Sequence, residues 1–302
     1  MLGANVFGWT TSVEQSFNVL DAALDHGLNA IDTANVYSRW VPGHAGGESE
    51  AIIGVWLKER RNRDKLIIAT KCGMDMGPGV SGLSKTAITK AIDQSLTRLQ
   101  TDYIDLYQAH RDDPNTPLEE TLQTFDELVR AGKVRAIGAS NYSAKRLAEA
   151  LRVSDQDGYA RFESLQPLYN LVERPAYEAD LQALCVQEDI GVINFYALAS
   201  GFLTGKYRTS ADLAGRARAG GVSKYLVESG LKVLAALDDV AARHAATPTE
   251  VALAWTLAQP GITAPIASAT SPEQVAQLAK AGELTLPPED LALINQASAR
   301  AR

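Results

Sequence analysis

Leu66-Ile67-Ile68-Ala69-Thr70 is a continuous run that ends abruptly in a charged residue, Lys71. A strand with one wet face alternates apolar and polar residues. A continuously apolar run reads instead as a strand covered on both faces, which is the habit of parallel sheets flanked by helices. The flanks fit. Upstream, Glu48 to Arg60 reads as a helix with Ile52, Ile53, Val55, Trp56 and Leu57 on a broad apolar face. Before it, Leu28 to Thr33 reads as a strand and Leu2 to Phe7 as another. Between those two, Ser12-x-x-Gln15 is a capping box opening a helix that Gly27 closes. Downstream, Ser84 caps a helix to Leu99, Tyr103 to His110 is a strand, and Pro117 starts a helix that Gly132 ends.

The alternation runs to the end of the chain. Val134 to Ala139, Ser164 to Pro167, Gly191 to Ala197 and Ile262 to Ala267 read as strands. Helices follow from Ser143 through Leu151, from Pro175 to Glu188, around Tyr225 to Arg243, and from Thr247-Pro248. Ser271-Pro272-Glu273 opens a further helix, Pro288 an extra terminal one, and a long loop reaches about Val222. Eight strand-like runs joined by helices predict an α/β fold, the (β/α)8 TIM barrel, rather than an open doubly wound sheet. No composition break divides residues 1–302, so a single domain is expected.

Composition excludes several partners. A hydrophobic fraction of 46% against 22% charged supports a large core, and a net charge of −7 with no basic block argues against nucleic acid or an anionic membrane. The two cysteines, Cys72 and Cys185, are far apart and suit a reducing compartment without disulfides. No signal peptide and no bilayer-length apolar run are read, so a cytoplasmic location is expected. No His/Cys/Asp/Glu set has zinc spacing, and no metal is expected. Oligomeric state is not legible.

In a barrel of this kind the active site lies at the C-terminal ends of the strands. The polar residues there are Asp32, Lys71, His110, Ser140, Asn141 and Gln166. A lysine directly after a buried strand is expensive without a carboxylate, and Asp32 is placed to be its partner. Tyr37 follows Asp32 by five residues, before a Gly-rich loop.

Asp32…Tyr37, Lys71 and His110 in these strand contexts resemble the catalytic tetrad of the aldo-keto reductases. Gly46-Gly47-Glu48-Ser49-Glu50, Gly138-Ala139-Ser140-Asn141, Gln166-Pro167-Leu168-Tyr169-Asn170 and Leu198-Ala199-Ser200-Gly201-Phe202-Leu203-Thr204-Gly205-Lys206 are also similar to that family's segments. The resemblance covers nearly the whole chain. It implies hydride transfer from NADPH, with NADH possible, to a small aldehyde or ketone. Tyr37 would be the general acid, its pKa lowered by Lys71. Asp32 would orient Lys71, and His110 would hydrogen-bond the carbonyl. Ser140, Asn141 and Gln166 would grip the nicotinamide carboxamide, with Phe195 stacked on its ring. Ala197, Leu198, Ser200, Gly201 and Lys206 would meet the pyrophosphate. Ser268, Thr270 and Gln274 would hold the adenosine phosphate at a helix start. Two other classes remain: an NADPH-sensing regulatory subunit with little turnover, and a non-redox phosphate-binding barrel isomerase or lyase.

The chain departs from the family pattern in places. It starts at Met1-Leu2-Gly3, so the hairpin commonly preceding the first strand is expected to be absent, with a less stable barrel floor. Basic residues that many members place near Ser268 and Gln274 are missing, so Lys206 or Arg216 would have to meet a 2′-phosphate. No long C-terminal loop follows the last helix, which predicts an open pocket, with Trp9, Trp40 and Phe202 on its rim. Gly77-Pro78-Gly79-Val80-Ser81-Gly82 matches G-x-G-x-x-G, but it neither follows its strand directly nor opens the helix, so it reads as a decoy. His44 and His244 read as surface residues, Trp56 as core and Cys72 as structural.

Overall fold

The computed structural model describes residues 1–77 and 79–299. Its centre is a parallel, seven-stranded sheet in the order β1-β2-β3-β4-β5-β6-β7, each strand paired with its neighbour in sequence. The strands are β1 (Leu2–Gly3), β2 (Ala30–Asp32), β3 (Ile67–Cys72), β4 (Ile104–Ala109), β5 (Val134–Ser140), β6 (Phe162–Gln166) and β7 (Gly191–Val192). The helices are α1 (Val13–Asp25), α2 (Glu48–Arg60), α3 (Lys85–Leu99), α4 (Leu118–Arg130), α5 (Ala144–Asp157), α6 (Pro175–Glu178) and α7 (Leu181–Gln187). They continue with α8 (Ala219–Val222), α9 (Glu228–Arg243), α10 (Pro248–Leu257), α11 (Pro272–Ala281) and α12 (Pro288–Ser298).

Among the described residues, side-chain caps fix the starts of four helices. Ser12 accepts from the Gln15 amide at 3.2 Å while Gln15 Oε1 accepts from the Ser12 amide at 2.9 Å, which completes the expected capping box. Thr247 and Glu250 form a like box at α10, while Ser84 and Ser143 cap α3 and α5 by accepting the Ala87 and Arg146 amides. From Ile68 to Cys72, β3 is buried throughout, as a strand covered on both faces must be. The buried apolar side chains of strands and helices join into one large cluster, with Trp56, Trp255 and Phe125 among its largest members.

Four readings need correction. The Leu2–Phe7 strand stops at Gly3, because the chain turns and the Ala4 and Phe7 carbonyls accept side-chain hydroxyls of Ser49 and Ser38. The Pro175–Glu188 helix is two helices, interrupted at Asp180, whose φ is −144°. The Gly191–Ala197 strand keeps two residues. Beyond it the Asn194 and Asn170 side-chain amides donate to the carbonyls of Tyr169 and Tyr196, and Tyr196 takes a φ of +53°. The Ile262–Ala267 run is not a strand. Pro265 lacks an N–H and interrupts any ladder. The segment nonetheless makes parallel bridges from Ile262 to Val192 and from Ala267 to Leu2. Thr263 donates to the Val192 carbonyl at 2.8 Å and Gly3 donates to the Ala267 carbonyl at 2.8 Å. The same segment thus bonds to both β7 and β1.

Candidate active site

The ends of β2, β4, β5 and β6 converge on one cavity of about 890 Å³. The corner that carries Asp32 and Tyr37 is fixed from two sides. Thr33 Oγ1 and Ser49 Oγ lie 2.9 Å apart, and Ser38 Oγ donates to the Phe7 carbonyl at 2.7 Å. The Gly46-to-Glu50 segment supplies the first of these anchors. Gly46 and Gly47 have φ of +94° and +89°, a conformation that disfavours side chains. Glu48 Oε1 accepts the amides of Ala45 and Gly46. Buried Glu50 accepts from Thr70 Oγ1 at 2.6 Å and from Arg98 Nε at 2.7 Å, tying α2 to β3 and α3.

Lys71 lies beneath the cavity floor, fully buried. Its Nζ donates to Asp32 Oδ2 at 2.7 Å, to the Thr33 carbonyl at 2.8 Å and to the Tyr37 hydroxyl at 2.9 Å. An ammonium has three donors, and here each has an acceptor. Burial pushes the Lys71 pKa down and the Asp32 carboxylate opposes that shift. The other oxygen of Asp32, Oδ1, accepts from Gln166 Nε2 at 2.9 Å and from Gln108 Nε2 at 3.5 Å. Gln108 was not among the residues singled out from sequence. It sits on β4 two residues before His110, hence on the same strand face, and is in register with Lys71. A glutamine inside an otherwise buried strand was the available signal.

Tyr37 lines the cavity, its ring 6.1 Å from that of His110. The expected downward shift of its pKa is reversed. Burial first, and then the Asp32 carboxylate, hold the phenol well above its ordinary value. His110 is also buried, and burial together with the Lys71 and Arg111 cations holds it well below the ordinary histidine value. It is therefore a neutral imidazole near neutral pH, and its Nδ1 is buried without a hydrogen-bond partner among the described residues.

The remaining sequence-derived positions gather on the same cavity. Asn141, with φ +57°, donates through Nδ2 to the His110 carbonyl at 3.0 Å and to Ser140 Oγ at 3.1 Å, and Ser140 Oγ donates to the Gln166 carbonyl at 2.9 Å. Phe195, Ala197, Leu198, Ser200, Gly201 and Lys206 all line the wall. Ala199, Ser200 and Gly201 have successive φ of +49°, +59° and +94°, a sharp turn that brings backbone to the cavity. Ser268, Thr270 and Gln274 line the opposite end. Ser268 donates to Asn5 Oδ1 at 2.6 Å, and Gln274 Oε1 accepts the Thr270 amide at 2.9 Å. Trp9 and Trp40 lie on the rim, their rings 5.6 Å apart. Phe202 does not: it is fully buried and packs 5.5 Å from the Tyr225 ring. The helical turn at 199–204 rotates its side chain into the core while its neighbours face the cavity.

Other readings resolve in the same way. Burial raises the Cys72 thiol to about 12, so it is no nucleophile, and Trp56 is core, donating to Asp21 at 2.7 Å. His244 is not a free surface residue: its Nε2 lies 2.6 Å from Asp290 Oδ2. In the Gly77–Gly82 stretch, Pro78 lies outside the described residues; the others precede α3 without opening it. Among the described residues no group of three His, Cys, Asp or Glu could hold a metal ion, and no helix is long and apolar enough to cross a membrane.

The sequence is similar to known proteins over almost its entire length. It is 35% identical to an uncharacterized oxidoreductase, YrpG, of Bacillus subtilis, covering 97% of this chain and 90% of that protein. It is 33% identical to a putative voltage-gated potassium channel subunit beta of Schizosaccharomyces pombe, over 96% and 87%. It is also 33% identical to an L-glyceraldehyde 3-phosphate reductase of Escherichia coli strain K12, over 96% and 85%. The family model "Aldo/keto reductase family" matches residues 1–299, so the chain that assembles this lysine, phenol and imidazole belongs to the aldo/keto reductase family.

Proposed function

We propose that this protein is an NADPH-dependent, cytoplasmic carbonyl reductase that converts aldehydes or ketones to alcohols, built as a single (β/α)8 barrel domain with a C-terminal extra helix. Its family generally uses NAD(P)H and acts on small carbonyl compounds. The bonds of residues 262–267 to both β1 and β7 support closure of the barrel. The observation that carries the chemistry is the Tyr37 phenol at the cavity floor, 2.9 Å from the buried Lys71 ammonium.

The residues fit a nicotinamide dinucleotide. Ser140, Asn141 and Gln166 would hold the carboxamide. Gln166 Nε2 is engaged by Asp32, so its Oε1 is the atom available to a ligand. Phe195 offers a flat face, the turn at Ala197–Gly201 offers backbone beside Lys206, and α11 begins next to Thr270. Lys206 and Arg216 are cations on the wall that can meet a 2′-phosphate, which favours NADPH over NADH. When bound, the cofactor supplies the hydride. Tyr37 holds the proton for the substrate oxygen. Its high pKa in the free protein keeps the proton in place, and Lys71 Nζ stabilises the phenolate once the proton leaves. Neutral His110 points a hydrogen-bonding ring at the same oxygen, and Asp32 keeps Lys71 charged and aimed.

The test is NADPH oxidation with a panel of aldehydes and ketones, comparing wild type with Tyr37→Phe. Loss of a proton donor should cut kcat/KM by about 10²–10⁴-fold while cofactor binding survives. A Tyr37→Phe enzyme with full rate would refute the mechanism, and equal dissociation constants for NADPH and NADH would refute the preference. The relative named as a channel subunit makes a regulatory NADPH-binding role the second reading. Tight NADPH binding with no turnover on any carbonyl would favour it.

A further inference from the structure

We propose that Arg218 is a substrate-specificity residue that binds an anionic group, carboxylate or phosphate, on the end of the carbonyl compound remote from the reacting carbon. The inference rests on the carbonyl-reductase reading and names the substrate class of that site.

Arg218 lies on the cavity wall and is partly buried. Among the described residues its guanidinium has no carboxylate within ion-pair distance and donates to no side chain, whereas Arg208 pairs with Asp238 and Arg174 with Glu178. A guanidinium does not discharge by losing its proton, so one drawn out of water without a counter-ion is a place where an anion is favoured. The only acidic side chain on the cavity wall among the described residues is Asp32, and Lys71 already occupies it.

The position of Arg218 sets it on the substrate side. Its guanidinium carbon is 5.7 Å from the centre of the Trp9 ring. Trp9 meets Trp40 edge-on at 5.6 Å, and Trp40 lies 6.0 Å from the Tyr37 ring. Tyr196 also lines the cavity, near enough to act electrostatically on both Tyr37 and Arg218. The result is an aromatic vestibule with the proton donor at one end and a cation at the other. Lys206 faces elsewhere: its ammonium lies over the Tyr207 ring, and a side chain at Gly201 would meet it at 3.6 Å. The segment bearing Arg218 is seated, since Gly221 approaches so closely that a Cβ there would stand 3.0 Å from Ser200 Oγ.

A planar fork of N–H donors suits either a carboxylate or a phosphate, and the tryptophans suit a flat spacer. The experiment compares wild type, Arg218→Gln and Arg218→Lys with saturating NADPH. The ratio of kcat/KM for 4-carboxybenzaldehyde over benzaldehyde should exceed one in wild type. It should fall at least tenfold in Arg218→Gln and less in Arg218→Lys. The ratio for glyceraldehyde 3-phosphate over glyceraldehyde, measured in parallel, tells which anion is preferred. NADPH dissociation constants are measured by fluorescence on the same proteins. An unchanged ratio overturns the proposal, and an unchanged ratio with weakened NADPH binding assigns Arg218 to the cofactor instead. Should no carbonyl turn over, the reductase reading fails. Binding of 4-(hydroxymethyl)benzoate against benzyl alcohol to the NADP⁺ complex then tests Arg218 alone, and equal loss of both ligands in Arg218→Gln would overturn it.

Discussion

Lys71 carries a charge into a place from which water is excluded, and three oxygens meet it there. A buried charge with one partner removed is costly, commonly about 3–5 kcal/mol. Lys71→Met would leave the Asp32 carboxylate with neutral donors only, the Gln108 and Gln166 amides and the Tyr37 hydroxyl. We expect it to lower unfolding free energy by that order in urea titrations, and Asp32→Asn in the same chain to recover part of the loss. A Lys71→Met protein as stable as wild type would mean the pair is not ionised. The need for this partnership was legible in the sequence, because a lysine after a buried strand requires a carboxylate. Gln108 and Gln166, which hold the other oxygen of Asp32, were not both legible. Glutamine in a strand does not announce its partner, and the two come together only across β4 and β6.

At the scale of elements, α2 acts as the splint of the site. Ser49 at its start holds the Tyr37 corner, and Glu50 one residue on joins β3 to α3. Its position depends on Gly54, where the helix presses against the end of α3. A Cβ there would collide with the Arg98 carbonyl oxygen and stand 2.8 Å from Leu99 backbone. Both obstacles are backbone, so α2 itself must move. Gly54→Ala is expected to lower stability by about 1–3 kcal/mol despite its gain in helix propensity, and to reduce kcat by displacing Tyr37. Thermal unfolding and steady-state rates would show both; an unchanged or raised melting temperature would contradict the packing described. The ends of α2 were read correctly at Glu48 and Arg60, because helix signals are local. The strands at 191–197 and 262–267 were overread, since an apolar β-rich run cannot report that asparagine side chains or a proline will break its ladder.

Taken as one folded body, the protein stores His110 in its neutral form. Its folded pKa lies well below the unfolded value of about 6.5. Below about pH 6.5 the unfolded chain binds a proton that the folded chain refuses, so stability is full above that value and falls as pH drops toward the folded pKa. The slope approaches 1.4 kcal/mol per pH unit at most, roughly one proton's worth. Unfolding free energies measured from pH 7.5 to 5 should decline for wild type and decline less for His110→Gln. Equal slopes would show that His110 is not desolvated. Depressed carboxylates such as Asp21 and Asp290 add their own losses only at more acid pH. By itself the sequence determined the alternation of strands and helices, the helix caps and the strand-end positions of Asp32, Lys71 and His110, because hydrophobic period and capping act between residues close in the chain. Tertiary structure alone decided that Tyr37 keeps a raised pKa, that Phe202 turns into the core, and that Arg218 faces Trp9 without a counter-ion. Burial and electrostatic neighbourhood are sums over residues far apart in sequence, and they exist only once the sheet has brought its strand ends together.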